Sequence, residues 1–294
     1  MTAFEPNDRA ARVEAYLSSH LGCPVRFTCA VQLAKGMREA PWRLEVEADG
    51  GTRSYVLQVD PRSLAYEYQV LKAMERVPIP TPRALGLDEE GAALGVPCFF
   101  SEFIEGESLR GPVVAGESWA TELYIESVCR LQAISAADLG DLAPKLKHDP
   151  ITKFLDDARA RLLDAGHPMA EPGYAALATR MPQLPADRFS NGDLWLDNFI
   201  VRDRGLAGVI DFALATFSDP VYEFLLSFFV TPALQGRGIE ERYCCRIGVD
   251  PAALHWYHGL EIYDTLGWLA GTGESFAHHT QDSLERDLAA WMGS

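Results

Sequence analysis

The residues best suited to chemistry lie in one stretch, Ser190-Asn-Gly-Asp193-Leu-Trp-Leu-Asp-Asn198, followed by Ile210-Asp211-Phe212. Phosphoryl transfer to a hydroxyl requires a carboxylate to take the hydroxyl proton. It also requires an amide oxygen and a second carboxylate to hold a divalent cation against the phosphates. Asp193, Asn198 and Asp211 occur in that order. Asp and Asn also cap turns in ordinary loops, and by residue type alone that role stays open for Asp193 and Asn198. The second acid at the end of a short ribbon favours convergence, because a tight loop and a hairpin fold it back onto the first pair.

Alternation and turn chemistry predict that ribbon, with residues 199–201 and 206–210 flanking Arg202-Asp-Arg-Gly205 as a β-hairpin. Upstream, Ala10, Val13, Tyr16, Leu17 and Leu21 recur at helical spacing and predict an amphipathic helix over 9–21. Strands are expected at 31–33, 42–46 and 55–59, the last two joined by Asp49-Gly-Gly51. A helix over 64–74 carries Glu67 and must end before Pro78-Ile-Pro80-Thr-Pro82, where proline excludes helix. Residues 84–87 and 97–104 read as strands, the second closed by Glu105-Gly106. Helical spacing returns at 119–131 and 151–163. Asp219-Pro220 offers a capping carboxylate and a first-turn proline for a helix over 221–230. The expected class is α+β. Residues 1–104 would form a small antiparallel sheet with a helix, and residues 105–294 a mainly helical part holding the hairpin.

Composition narrows the partners. A formal net charge of −16 opposes the basic face that a nucleic-acid backbone demands. It would suit a cationic small molecule, although surface carboxylates also serve solubility alone. The sequence holds no apolar run of membrane-spanning length and no basic apolar leader at residues 1–7, so a cytoplasmic enzyme without a membrane partner is the expectation. Cys23, Cys29, Cys98, Cys129, Cys244 and Cys245 show no CxxC pairing and read as reduced thiols, most of them buried.

Taken together, the motifs resemble the aminoglycoside phosphotransferase and choline kinase-like family. Asn191-Gly-Asp193 to Asn198, Ile210-Asp211-Phe212 and Ser218-Asp219-Pro220 stand where that family has HGDxxxxN, IDW or IDF, and GDP. Gly36-Met37, Glu67, Ile79-Pro80-Thr81-Pro82 and Phe103-Ile104-Glu105-Gly106 follow in family order over most of the chain. The resemblance implies a protein-kinase-like two-lobed fold, ATP and Mg2+ as cofactors, and γ-phosphate transfer to a hydroxyl of an aminoglycoside, amino alcohol or sugar-like acceptor. Carried over residue by residue, it makes Asp193 the base and Asn198 and Asp211 the magnesium ligands. Gly36 falls in the nucleotide loop, Glu67 on the cleft helix, and Ser101, Glu102 and Phe103 at the hinge that pairs with the adenine edge.

The family usually has Lys or Arg on the third strand, where this chain has Gln58, so no strand cation offsets the phosphates. Lys35 is the candidate substitute from the loop before Gly36, with Arg38 second; ordinary solvent-facing loop charges are the alternative for both. Asn191 replaces the usual histidine and can still brace the loop as donor and acceptor. Asp197 reads as a solvated turn residue, with a supporting place beside the metal as the alternative, and Asp219 as a helix cap, with support of the Asp193 loop as the alternative. A non-catalytic nucleotide-binding module is the rival reading, motivated by Gln58 and Asn191. A protein kinase is disfavoured, because neither an Ala-Pro-Glu segment nor a Gly-x-Gly-x-x-Gly loop is present. His255 and His258 sit one helical turn apart without an acidic or thiol companion, so packing or surface roles are expected for them. Trp256, Tyr257, Tyr263 and Trp268, near Glu261 and Asp264, could wall an acceptor pocket or pack a helix.

Overall fold

Turn residues set the order of elements in the structure, a computed structural model that describes residues 5–33, 40–59, 64–273 and 275–294. Helix α1 (Ala10–Leu21) ends at Gly22, whose φ of 70° is the left-handed cap that glycine accepts most readily. Strands β1 (Val25–Gln32), β2 (Trp42–Ala48) and β3 (Gly51–Val59) follow. The β2–β3 turn needs two positive φ values, supplied by Asp49 at 51° and Gly50 at 76°. Helix α2 (Ala65–Met74), β4 (Ala84–Asp88) and β5 (Cys98–Glu102) complete an antiparallel sheet of order β1-β2-β3-β5-β4. Strand β1 starts six residues earlier than the alternation predicts. It is an edge strand with a register shift between Phe27 and Cys29, and its burial pattern is too irregular to read.

Beyond the sheet come β6 (Glu107–Ser108), α3 (Arg110–Val114), α4 (Ser118–Gln132), α5 (Ala136–Leu139), β7 (Lys147–Asp149), α6 (Ile151–Asp164) and α7 (Ala170–Thr179). The chain then builds β8 (Arg188–Ser190), β9 (Phe199–Arg202), β10 (Gly205–Val209) and β11 (Thr216–Ser218). It ends in α8 (Tyr222–Phe229), α9 (Ile239–Ile247), α10 (Leu254–Thr272) and α11 (Gln281–Met292). The predicted ribbon is β9–β10, which β6 extends to a sheet of order β10-β9-β6. A second small sheet of order β7-β11-β8 brackets the same stretch of chain. The whole is a kinase-like α+β fold, a sheet-and-helix lobe beside a mainly helical one.

Two cores hold these parts. Leu44, Val46, Tyr55, Leu57, Cys98 and Phe100 face α1 and pack on its Val13 and Leu17. On the opposite face Phe99 joins Val70, Leu71 and Met74 of α2 in a larger core that runs on through the C-terminal helices. Helix α10 is buried on nearly every side, and its aromatics are packing residues. Trp256 Nε1 donates to Leu177 O at 2.9 Å, Tyr257 Oη to Asp219 at 2.8 Å, and Tyr263 Oη to Ala170 O at 2.6 Å. Of the four aromatics offered by the sequence, Trp256, Tyr257 and Tyr263 therefore take the packing alternative rather than forming an acceptor wall. Spacing shows that aromatics share a helix, but not that α6, α7, α8 and α11 pack around it. Of the cysteines only Cys98 and Cys244 are buried, fewer than expected, and all six are free thiols. Among the described residues no helix is long and apolar enough to cross a membrane.

Candidate active site

The loop between β8 and β9 is folded by its own side chains. Gly192 has φ +81°, and a Cβ there would stand 2.0 Å from Leu214 O, so no other residue fits without moving the loop. Asn191 is wholly buried, and its Nδ2 donates to the carbonyls of Asp193 (2.9 Å), Ile210 (3.2 Å) and Asp211 (3.1 Å). One amide thus ties the loop carrying the first aspartate to the strand end carrying the second. The Ile210 amide adds a bond to Asn198 O at 2.9 Å. Asn198 Nδ2 donates to Asp193 O at 2.9 Å and to Asp193 Oδ2 at 3.0 Å. The three residues chosen by spacing therefore share one hydrogen-bonded unit.

The electrostatics match this convergence. Burial, followed by the charge of Asp211, pushes the Asp193 carboxyl up to about 6, against the hydrogen bond from Asn198. Asp211 is exposed and sits at φ 57°, a conformation uncommon for a residue with a side chain. Asp219 takes the role the sequence assigned it. Its Oδ1 accepts from the amides of Val221 (2.8 Å) and Tyr222 (3.0 Å), capping the turn into α8. Asp197 accepts from Trp195 Nε1 at 2.7 Å and from the Ser108 hydroxyl, which fastens the loop to β6.

On the sheet side of the cleft, Gln58 Nε2 donates to Glu67 Oε1 at 3.3 Å, and Glu67 is only 3% exposed. The third strand and α2 are thus joined by an amide–carboxylate bond at the position where the family usually has Lys or Arg. Lys35, Gly36 and Arg38 lie outside the described residues. Ser101 is buried within β5, and the amides of Glu102 and Phe103 are occupied by Arg83 O (3.0 Å) and Ser54 O (3.3 Å). The next amides, of Ile104 and Glu105, meet no backbone carbonyl among the described residues. Arg43 was not singled out from the sequence. It pairs with Val56 across β2–β3, on the sheet face shared with Gln58. Its guanidinium lies 4.3 Å from the Phe103 ring centroid and 3.2 Å from Glu105, with a bond to Ser54 Oγ at 3.1 Å. Strand alternation alone would have placed it on that face.

The donors fit a magnesium ion better than a softer metal. An amide oxygen and a carboxylate are hard ligands, and magnesium keeps several waters and substrate oxygens around few protein groups. Among the described residues no three His, Cys, Asp or Glu side chains gather as a self-sufficient metal cage. Burial and then the charge of Asp211 disfavour an ionised Asp193, and a divalent cation would relieve the second of these.

The comparisons with known proteins agree with this architecture. The fold is that of the kinase-like phosphotransferases. The chain belongs to the phosphotransferase enzyme family, which it matches over residues 31–257. Among solved structures it is similar to one from Ralstonia eutropha provisionally assigned as an aminoglycoside phosphotransferase, with TM-score 0.72, 17% identity and 96% of both chains covered. It is also similar to a thermostable mutant of aminoglycoside phosphotransferase APH(4)-Ia in ternary complex with ADP and hygromycin B. There the TM-score is 0.59 and the identity 16%, over 96% of this chain and 95% of that one. Macrolide 2'-phosphotransferase MphH from Brachybacterium faecium gives 0.61 and 14%, over 97% and 98%. Identities this low establish the fold. Acyl-CoA dehydrogenase family member 11 of Rattus norvegicus is 24% identical over 95% of this chain and 41% of its own length. Family member 10 of Mus musculus is 23% identical over 62% of this chain and 18% of its own. The chain thus spans less than half the length of these curated relatives.

Proposed function

We propose that the protein transfers the γ-phosphate of ATP to a hydroxyl group of a small molecule. The observation that carries this reading is the hydrogen-bonded unit of Asp193, Asn198 and Asp211, held by the buried amide of Asn191. Asp193 takes the proton of the acceptor hydroxyl. Its raised carboxyl makes it a stronger base than an exposed aspartate, and the Asn198 amide keeps it aimed. Asn198 and Asp211 would hold magnesium, which when bound would neutralise charge on the γ-phosphoryl group that ATP supplies as ADP leaves. The segment from Ser101 to Phe103, with the amides just beyond it, borders the adenine edge, and the lobes meet near Ile104 and Glu105. Gln58 and Glu67 line the phosphate side, with Lys35 and Gly36 contributing from the nucleotide loop.

The test is ADP release in the presence of ATP, Mg2+ and pooled amino alcohols, sugars, aminoglycosides and macrolides. Turnover on one pool is expected, and Asp193→Asn should lower it by roughly 10²–10⁴-fold while leaving nucleotide affinity intact. Full turnover in that variant would remove Asp193 as the base. One observation favours a second reading. The uncharged Gln58 bonded to Glu67 suits a module that binds nucleotide without turnover. Tight ATP binding with no ADP formed on any pool would support that reading instead.

A further inference from the structure

We propose that α8 is the brace that sets the position of Asp193, with Glu223 and Ser227 as its positioning residues; this rests on the reading of Asp193 as the base. The two side chains stand one helical turn apart on α8 and meet the catalytic loop on both sides of Asp193. Glu223 accepts hydrogen bonds from the hydroxyls of Ser190 and Ser218, one on each carboxylate oxygen. Ser190 Oγ in turn accepts the Gly192 amide at 3.0 Å, immediately before Asp193. Ser227 Oγ accepts the Leu196 amide at 3.3 Å and lies 3.5 Å from Leu194 O, immediately after it.

The helix itself has little freedom to shift. Phe224, Leu225 and Phe228 are at most 1% exposed, and Phe224 stacks between Tyr124 and Tyr243 with ring centroids 5.1 and 3.8 Å away. Tyr124 Oη also donates to Leu194 O, at 2.5 Å. A carboxylate in such a helix is unfavourable unless its oxygens are satisfied. Among the described residues no ion pair reaches Glu223, and two serine hydroxyls on β8 and β11 provide the satisfaction. A glutamate suits this task because it accepts from two donors at once. A glutamine offers a single acceptor oxygen and forces one hydroxyl to turn. Ser190 can present a lone pair to Gly192 because its own hydrogen is directed to Glu223. The chain of contacts runs from α8 through Glu223 and Ser190 to the backbone of the base.

The experiment has two arms. Hydrogen exchange on the full chain without substrate is read for residues 190–198 and for α8 and α10 in Glu223→Gln and Ser227→Ala. Faster exchange confined to 190–198 is expected in both variants. Unchanged exchange there, or a rise spread over α8 and α10, would overturn the brace. In the second arm, both variants should lose kcat by about 10- to 100-fold at an unchanged KM for ATP, as a small misplacement of the base predicts. Ser190→Ala combined with Glu223→Gln should be no worse than either alone, because the two act in series. Additive losses, or a loss confined to KM, would also overturn it. Because the first arm needs no turnover, absence of activity in the wild type removes the kinase reading alone, and exchange then decides the brace.

Discussion

Burial raises two carboxyls at the Asp193 loop and weakens the fold around them. The Asp193 carboxyl is pushed up to about 6 by burial and by Asp211, and that of Glu223 to about 7 by burial, against hydrogen bonds from Ser190 and Ser218. A base must be ionised to act, so kcat/KM is expected to rise with pH through the region near 6, and a pH–rate profile checks this. The stability effect has the opposite sign. A carboxyl whose folded pKa exceeds its unfolded value favours the fold below the unfolded value, near 4, and that advantage is lost as pH rises through 6. At pH 7 the ionised Asp193 therefore destabilises the protein. Asp193→Asn should melt a few degrees higher than wild type at pH 7, and the difference should vanish near pH 4 in thermal scans. Gly192→Ala should do the reverse. With a Cβ 2.0 Å from Leu214 O and φ at +81°, it should lower stability by about 1–3 kcal/mol in denaturant titration and abolish turnover.

At the scale of elements, the hairpin β9–β10 was legible because alternation and an Arg-Asp-Arg-Gly turn announce it, and the cap at Asp219 because its proline follows. The positions of Asp193, Asn198 and Asp211 followed from that hairpin. What tied them together did not, since Asn191 was visible only as a replacement for histidine and its three carbonyl partners lie two residues on in its own loop and some twenty residues away, just past β10. Glu223 and Ser227 escaped notice as well. A carboxylate and a hydroxyl four residues apart in an otherwise apolar run were the available signal. Strand β1 was mostly missed because an edge strand lacks a clean buried face. A longer-range tie was invisible in the sequence, because it joins residues 149 positions apart. The Tyr66 hydroxyl on α2 donates to Ala215 O, just past Asp211, and accepts the Lys147 amide at 3.3 Å. Tyr66→Phe should cost about 1 kcal/mol of stability. It should also raise the KM for ATP, since it frees α2, which carries Glu67, from the loop of Asp211. Steady-state kinetics at varied ATP checks this.

For the whole molecule, the larger core matters most. It contains Val70, Leu71, Met74, Ile79, Ala84 and Phe99 from the sheet side together with Tyr124, Phe224, Leu260 and Leu288 from the helical side. The packing is close in places. A Cβ on Gly259 of α10 would lie 2.2 Å from the Trp291 ring of α11, so Gly259→Ala should lower the melting temperature measurably. Because α2 is rooted in this shared interior, the protein is expected to melt in one calorimetric transition, and two resolved peaks would contradict that. The same continuity bears on any attempt to divide the chain at residue 104. The sheet side and the helices share one buried core on either side of that point. Each fragment would expose an oily scar left by the other, so separately made halves should aggregate unless they find one another again.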